Sequence, residues 1–237
     1  MSIQRRVLLL LAAAILTTSA LPAQTMAAPR PTPADSARFT GETRVYLLRG
    51  LLNVFSLGMD TLAEKLNAGG IRAEVHPHDS WSAIASRIAE DYRRGQSGQI
   101  VLIGHSLGAD VLFQLAERLD SDGVPVRLVV SFDPTNSYAV PKNVDYMLNL
   151  YQHNGFGRRV AAGPGFRGEL VNMDLSHDKS IDHTSIDKSP ALHNLVISKI
   201  RAVTAPGAQK RKPVRRKQGL NLDVWGEWPP LWSCTAV

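Results

Sequence analysis

Gly104-His105-Ser106-Leu107-Gly108 has the residue types and spacing of a G-x-S-x-G turn, in which a serine stands between a strand and a helix. The chemistry suited to such a turn is nucleophilic attack. Small residues two positions to either side let strand and helix pass closely, and the sharp bend lifts the hydroxyl above the sheet edge. The bend also sets the N–H of Leu107 at a helix N-terminus, ready to receive a developing oxyanion. Taken alone, five residues also fit an ordinary Gly-Ser turn, so the neighbouring elements decide between the readings.

Those elements are the ones the chemistry needs. Ile100–Gly104 is an almost unbroken apolar run, as expected of a central parallel strand buried on both faces. Leu107, Val111, Leu112, Leu115 and Leu119 fall on one stripe of the helix that follows. Upstream, Arg44–Arg49 reads as a strand, 59–68 as a helix stopped by Gly69-Gly70, Ile71–Val75 as a strand and Trp81–Arg94 as a helix. Downstream come strands at Val126–Phe132, Val144–Leu150 and Gly168–Leu175, then a closing helix over Pro190–Val203. The alternation predicts an α/β fold: a doubly wound, mostly parallel sheet of about five or six strands with helices on both faces. About ten residues precede the fifth strand, slightly short for a usual parallel crossover.

On the Gly104–Gly108 turn and this order of elements, the chain resembles the α/β-hydrolase superfamily, in particular its lipase, esterase and thioesterase members. The resemblance covers roughly Thr43 to Thr204. It implies a nucleophile, an acid and a histidine in that chain order, with the histidine in a loop before the last helix. His183, in the polar stretch Asp178–Pro190, fits that place, with His177 as the alternative. His76 and His78 precede the serine, His105 is expected to point away from Ser106, His153 lies early, and His193 falls inside the closing helix as a packing or surface residue. For the acid, Asp133 ends the fourth strand at the same sheet edge as Ser106. A pancreatic-lipase-like subset carries its acid there, followed by proline, as Pro134 follows here. Asp174 is the alternative, with Asp145 and Asp178 behind it. Asp110, on the first turn of the elbow helix, reads as a complement to the helix dipole. By the same resemblance Arg49-Gly50-Leu51 stands where the family has a His-Gly-aromatic stretch, which makes the N–H of Leu51 the second oxyanion donor. Leu51, Leu52, Val54, Phe55 and Leu57 are then candidates for an apolar acyl pocket or for plain core packing.

The rest of the composition narrows the field. Of 27 basic residues, two lie at Arg5 and Arg6 and six between Lys210 and Lys217, while 28–205 holds 19 Lys/Arg against 19 Asp/Glu. The core therefore carries no nucleic-acid footprint. Residues 1–27 read as a signal peptide, with Arg5-Arg6, the run Val7–Leu16 and small residues before the break, so the chain is expected to be periplasmic or secreted. Residues 28–42 read as a Pro-rich linker, 43–205 as the catalytic domain, and 206–237 as a basic, Trp-containing disordered tail. That tail reads either as a weak contact for an anionic membrane or as an extension with no role. The single Cys234 allows no internal disulfide. His76-Pro77-His78-Asp79 superficially looks like a dinuclear hydrolase motif, but Ser80 stands where a further histidine belongs, and neither a metal nor any other cofactor is expected. The expected activity is hydrolysis of small acyl esters through an acyl-enzyme, with thioesters as the near alternative and a non-catalytic binding protein of the same fold as the distant one. Only 49 residues separate Asp133 from His183, too few for a large helical cap, so the site should be open and accept soluble short-chain esters.

Overall fold

The computed structural model describes residues 42–51, 56–206 and 208. The segments read as a signal peptide, as most of a Pro-rich linker and as nearly all of a basic tail, together with Leu52, Val54 and Phe55, lie outside the described residues.

Each strand of the main sheet alternates its side chains between two cores, as the pleat requires. In β1 (Arg44–Arg49), Val45 and Leu47 face one side while Tyr46 and Leu48 face the other. In β3 (Ile100–His105), which is buried along its whole length, Val101 and Ile103 oppose Ile100 and Leu102. The first core is closed by α1 (Gly58–Ala68), through Met59, Leu62 and Leu66, and by α4 (Pro190–Thr204), through Leu192, Val196 and Ile200. The second is closed by α2 (Trp81–Arg93), through Ile84 and Ile88, and by α3 (Leu107–Ser121), through Leu112, Leu115 and Leu119.

The other strands are β2 (Arg72–Pro77), β4 (Leu128–Phe132), β5 (Ala139–Val140), β6 (Tyr146–Tyr151), β7 (Ala161–Ala162) and β8 (Glu169–Asp174). Six of them form one sheet in the order β2-β1-β3-β4-β6-β8, and every pair is parallel. The chain winds outward from β1 to β2, then returns past β1 to β3 and winds the other way. The switch lies between β1 and β3, where an open parallel sheet leaves a crevice at its carboxyl edge. Ser106 follows β3 directly at that edge.

The sheet is the one expected from the sequence, with two adjustments. Val126, expected inside the fourth strand, makes only an isolated bridge with Val144. The short crossover into β6 needs no helix, because β5 pairs in parallel with β7 as a two-stranded patch, and Val140 and Val160 cover the second core there. Between Asp133 and His183 the chain contributes strands and loops but no helix.

The approach of α3 to the sheet is very close. A Cβ on Gly104 would lie 2.4 Å from the Gly108 carbonyl oxygen, and one on Gly108 would lie 2.2 Å from that of Leu48. Both obstacles are backbone, so neither can swing aside. Gly108→Ala should therefore lower the unfolding free energy by about 3 kcal/mol, read as a reduced urea midpoint at unchanged slope. A midpoint equal to that of the wild type would contradict this packing.

Candidate active site

Ser106 sits at φ 57° and ψ −124°, and Asp133 at φ 53°; among the described residues these are the two non-glycine positions with positive φ. Such backbone persists only where its surroundings overdetermine it. At Ser106 the tight turn between β3 and α3 does so, with the Ser106 N–H bonded to the Phe132 carbonyl at 3.0 Å. At Asp133 the N–H donates to Leu150 O at 2.8 Å, and the carboxylate Oδ1 accepts the Gln152 N–H at 2.9 Å.

The three side chains meet above the carboxyl edge. Asp133 Oδ2 lies 2.7 Å from His183 Nδ1, and His183 Nε2 lies 3.0 Å from Ser106 Oγ. Asp133 Oδ1 accepts from the Gln152 amide, and with Oδ2 accepting in turn, Nδ1 carries the proton and Nε2 faces the serine hydroxyl as an acceptor. That is the tautomer a general base needs. His183 is held by its own loop, where Asp182 Oδ1 accepts from the Thr184 and Ser185 amides at 2.8 and 2.9 Å. These short-range bonds keep the Asp182 carboxyl below its usual range, the side chain and amide of Thr184 leading.

The alternatives lie elsewhere. Asp174 is bonded to His153 Nδ1 at 2.7 Å, on the surface beyond β6 and β8. Burial pushes Asp174 up, but bonds from Ser176 and His153 outweigh it and hold the carboxyl at about 2. Asp145 pairs with Arg127 at the opposite edge of the sheet, and Asp178 caps its own turn through Ser180. His177 is exposed on the turn after β8. His193 is buried and bonds the Asp187 carbonyl at 2.6 Å.

Leu107 is the first residue of α3, so its N–H has no carbonyl within its own helix. The loop after β1 comes close beside it. A Cβ on Gly50 would lie 3.1 Å from Ser106 Cβ, and the Gly50 N–H is tied at 2.9 Å to Ser56 Oγ. Leu51 follows, half exposed at 55%, and lines a cleft of about 250 Å³ with Ser56, His105, Ser106, His183 and Thr184. Leu57 is equally exposed, at 54%, so it is not a core residue. Arg49, which stands where the family pattern has histidine, donates from Nε and Nη2 to the two carboxylate oxygens of Asp60 on α1.

Several residues that hold the site were missed in the sequence. His105 makes no bond to Ser106, as expected, yet it has a place in the site. Its Nε2 donates to the His183 carbonyl at 2.8 Å, which leaves Nδ1 to accept from Ser56 Oγ–H at 2.8 Å. One buried imidazole thus joins the His183 loop to the loop that carries Gly50 and Leu51. Asp110, which does stand in the first turn of α3, also accepts from the Thr135 amide at 2.8 Å and from its hydroxyl, stapling the turn after Asp133 to α3. Gln152 adds a side-chain bond to Ile181 O at 2.6 Å beside its bond to Asp133. Gly157 passes so close to the acid that a Cβ there would lie 1.8 Å from Asp133 Oδ1. The sequence held one usable signal for that passage, an aromatic flanked by glycines at Gly155-Phe156-Gly157.

A parallel sheet with a serine on a strained turn at its switch point, backed by a histidine and a buried carboxylate from later loops, defines the class of α/β-hydrolases. Residues 60–181 match the family described as Thioesterase domain, about half of the chain, and the chain belongs to that family of hydrolases. No curated protein matches it. Among solved structures, it is similar to a protein assigned to the alpha/beta hydrolase superfamily from Xanthomonas campestris pv. campestris, at 18% identity over 65% of this chain and 98% of that one, with a TM-score of 0.36. It is also similar to an acetyl xylan esterase, at 12% identity over 68% of this chain and 98% of that one, with a TM-score of 0.38.

His105 and Asp187 give the site a pH signature. Burial, with His183 alongside, holds His105 down at about 4. Asp187, fully buried 3.9 Å away with one amide donor from Gly58, is pushed up to about 6 by burial. Folding disfavours the protonated His105, so its contribution is lost as pH falls from about 6.5 toward 4. Folding favours the protonated Asp187, so that contribution is lost as pH rises from about 4 to about 6. In that window the folded chain carries on Asp187 the proton that the unfolded chain carries on His105, and the two slopes oppose. His105→Gln leaves Asp187 alone. Relative to wild type, its stability should fall as pH rises from 4 to 6 in urea unfolding; identical pH profiles for the two proteins would contradict the pairing.

Proposed function

We propose that this hydrolase cleaves small carboxylic esters through an acyl-enzyme formed on Ser106. The observation that carries the reading is the continuous chain of bonds from Ser106 Oγ through His183 to the buried Asp133, at 3.0 and 2.7 Å. A serine hydroxyl is a poor nucleophile until a base takes its proton. In this reading His183 Nε2 accepts that proton as Oγ bonds to the acyl carbon. The N–H groups of Leu107 and Leu51 receive the oxyanion. His183 then gives the proton to the leaving heteroatom as its bond to the acyl carbon breaks. Water, deprotonated by the same imidazole, attacks the acyl-enzyme and releases the acid and free Ser106. Asp133 fixes the imidazole tautomer and stabilises the imidazolium throughout.

Thioesters form the second reading, because the chain's family is described as a thioesterase domain and the same steps serve a sulfur leaving group. An oxygen ester and a thioester with a common acyl group separate the two by their kcat/KM values. The absence of a helix between Asp133 and His183 supports an open site and turnover of monomeric short-chain substrate. The role of the acid is tested by two substitutions assayed on one activated ester. Asp133→Asn should retain its melting temperature and lose about 10⁴-fold in kcat, the behaviour of serine-protease triads with the wrong tautomer. Asp174→Asn, which only frees His153 and Ser176, should stay within about threefold of wild type, in line with loss of an exposed pair. An exchange of these two results would move the acid to Asp174.

A further inference from the structure

Among the described residues, the large hydrophobic side chains left exposed are Leu51, Leu57 and Phe156. An isolated exposed apolar side chain is ordinary, but Leu51 and Phe156 both stand at the candidate site. Leu51 lines the cleft that contains Ser106. Phe156, 63% exposed, lies against His183, with ring centroids 4.8 Å apart and planes tilted by 47°. It lines a second cleft, of about 400 Å³, whose wall includes His183, Ile181, Asn154 and Asp182 but not Ser106.

The ring is exposed on a loop that is firmly held. The Gly155 N–H donates to Gln152 O at 3.1 Å, and the Arg158 N–H to Pro134 O at 2.9 Å. The Arg158 guanidinium bonds the carbonyls of Gly155 and Gly157 at 2.9 and 3.0 Å. Gly157 fits against Asp133 with no room for a side chain. A pinned loop that presents an apolar ring to solvent has the form of a prepared contact surface, since little ordering is left for a ligand to supply.

The side of the site on which it stands follows from the reaction geometry, and here the inference rests on the serine-hydrolase reading. In the tetrahedral intermediate the oxyanion points at the amides of Leu51 and Leu107, while the leaving heteroatom must come within reach of His183 Nε2 to be protonated. The group attached to that heteroatom therefore leaves along His183, against whose ring Phe156 lies. We propose that Phe156 forms the floor of a leaving-group subsite, and that the preferred substrates are esters of alcohols with a flat apolar body, an aryl alcohol above all. The ring would stack on the departing aryl group.

The test compares two acetates whose alcohols have similar acidity, phenyl acetate and the acetate of a small fluorinated alkyl alcohol. Because both give the same acyl-enzyme, the ratio of their kcat/KM values isolates the leaving group. Wild type should favour the phenyl ester, and Phe156→Ala should reduce the ratio about tenfold, in keeping with the worth of an aromatic pair. Phe156→Trp should keep it. Equal losses on both esters would mean that Phe156 only packs on His183, and an unchanged ratio would mean that the ring meets no leaving group; either result overturns the subsite. Ser106→Ala, run beside them, should hydrolyse neither ester. Full turnover by Ser106→Ala would instead remove the serine reading, and the subsite with it.

Discussion

The backbone contact between α3 and the sheet is the constraint on which the candidate site depends. Gly104 and Gly108 bring the first turn of the helix to within van der Waals distance of the Leu48 carbonyl, across β1. No chain can make that reversal in a relaxed conformation, and the strain falls on Ser106, at φ 57°. Strained residues of this kind typically cost about 1–3 kcal/mol each. The two fully occupied cores on either face of the sheet hold the turn closed against that cost. The same contact puts the Leu107 amide at the exposed start of a helix, next to the serine and across from the loop after β1.

A single serine on a strained turn does nothing without partners held to within a fraction of an ångström. Three loops supply them, and buried polar side chains bind those loops to each other and to the fold. Asp110 fixes the turn beyond Asp133 to α3. Gln152 joins the Asp133 carboxylate to the chain just before His183. His105 joins the His183 carbonyl to Ser56 and so to Gly50. Each of these groups has its partner, which matters because an unsatisfied polar group in such a place would cost more than the bond contributes. Asp187, beside His105, lacks this full pairing, with Oδ1 buried and unpartnered, and burial raises its pKa.

The fold could be read in the sequence because its signals are local. The apolar run of β3, the glycine spacing of the elbow and the stripes of α1 to α4 each lie within a dozen or so residues, and the structure returns all of them with ends shifted by a residue or two. Ser106 shared that advantage. Asp133 could be reached because a strand end at the correct sheet edge is a topological inference, and His183 because the resemblance implied a loop before the last helix. The ties that hold the site had no such signal. Gly58 meets Asp187 across 129 residues and His105 meets His183 across 78, and nothing in the local sequence of either partner marks the other. The second role of Asp110 is hidden for the same reason: its position in the first turn of a helix is a sufficient local explanation, while its partner Thr135 lies beyond the next strand. Phe156 would have passed as one more apolar residue, since exposure is a property of the folded chain alone.

The central claim is that Ser106, and no other serine, is activated by its surroundings. A fluorophosphonate probe measures that property directly, because it forms a covalent adduct only with a serine whose proton is being taken. Whole-protein mass spectrometry after exposure should give a single adduct, peptide mapping should place it on Ser106, and the adduct should be absent from the His183→Ala protein. A chain that hydrolyses esters yet takes no label, or takes it at another residue, would contradict the account.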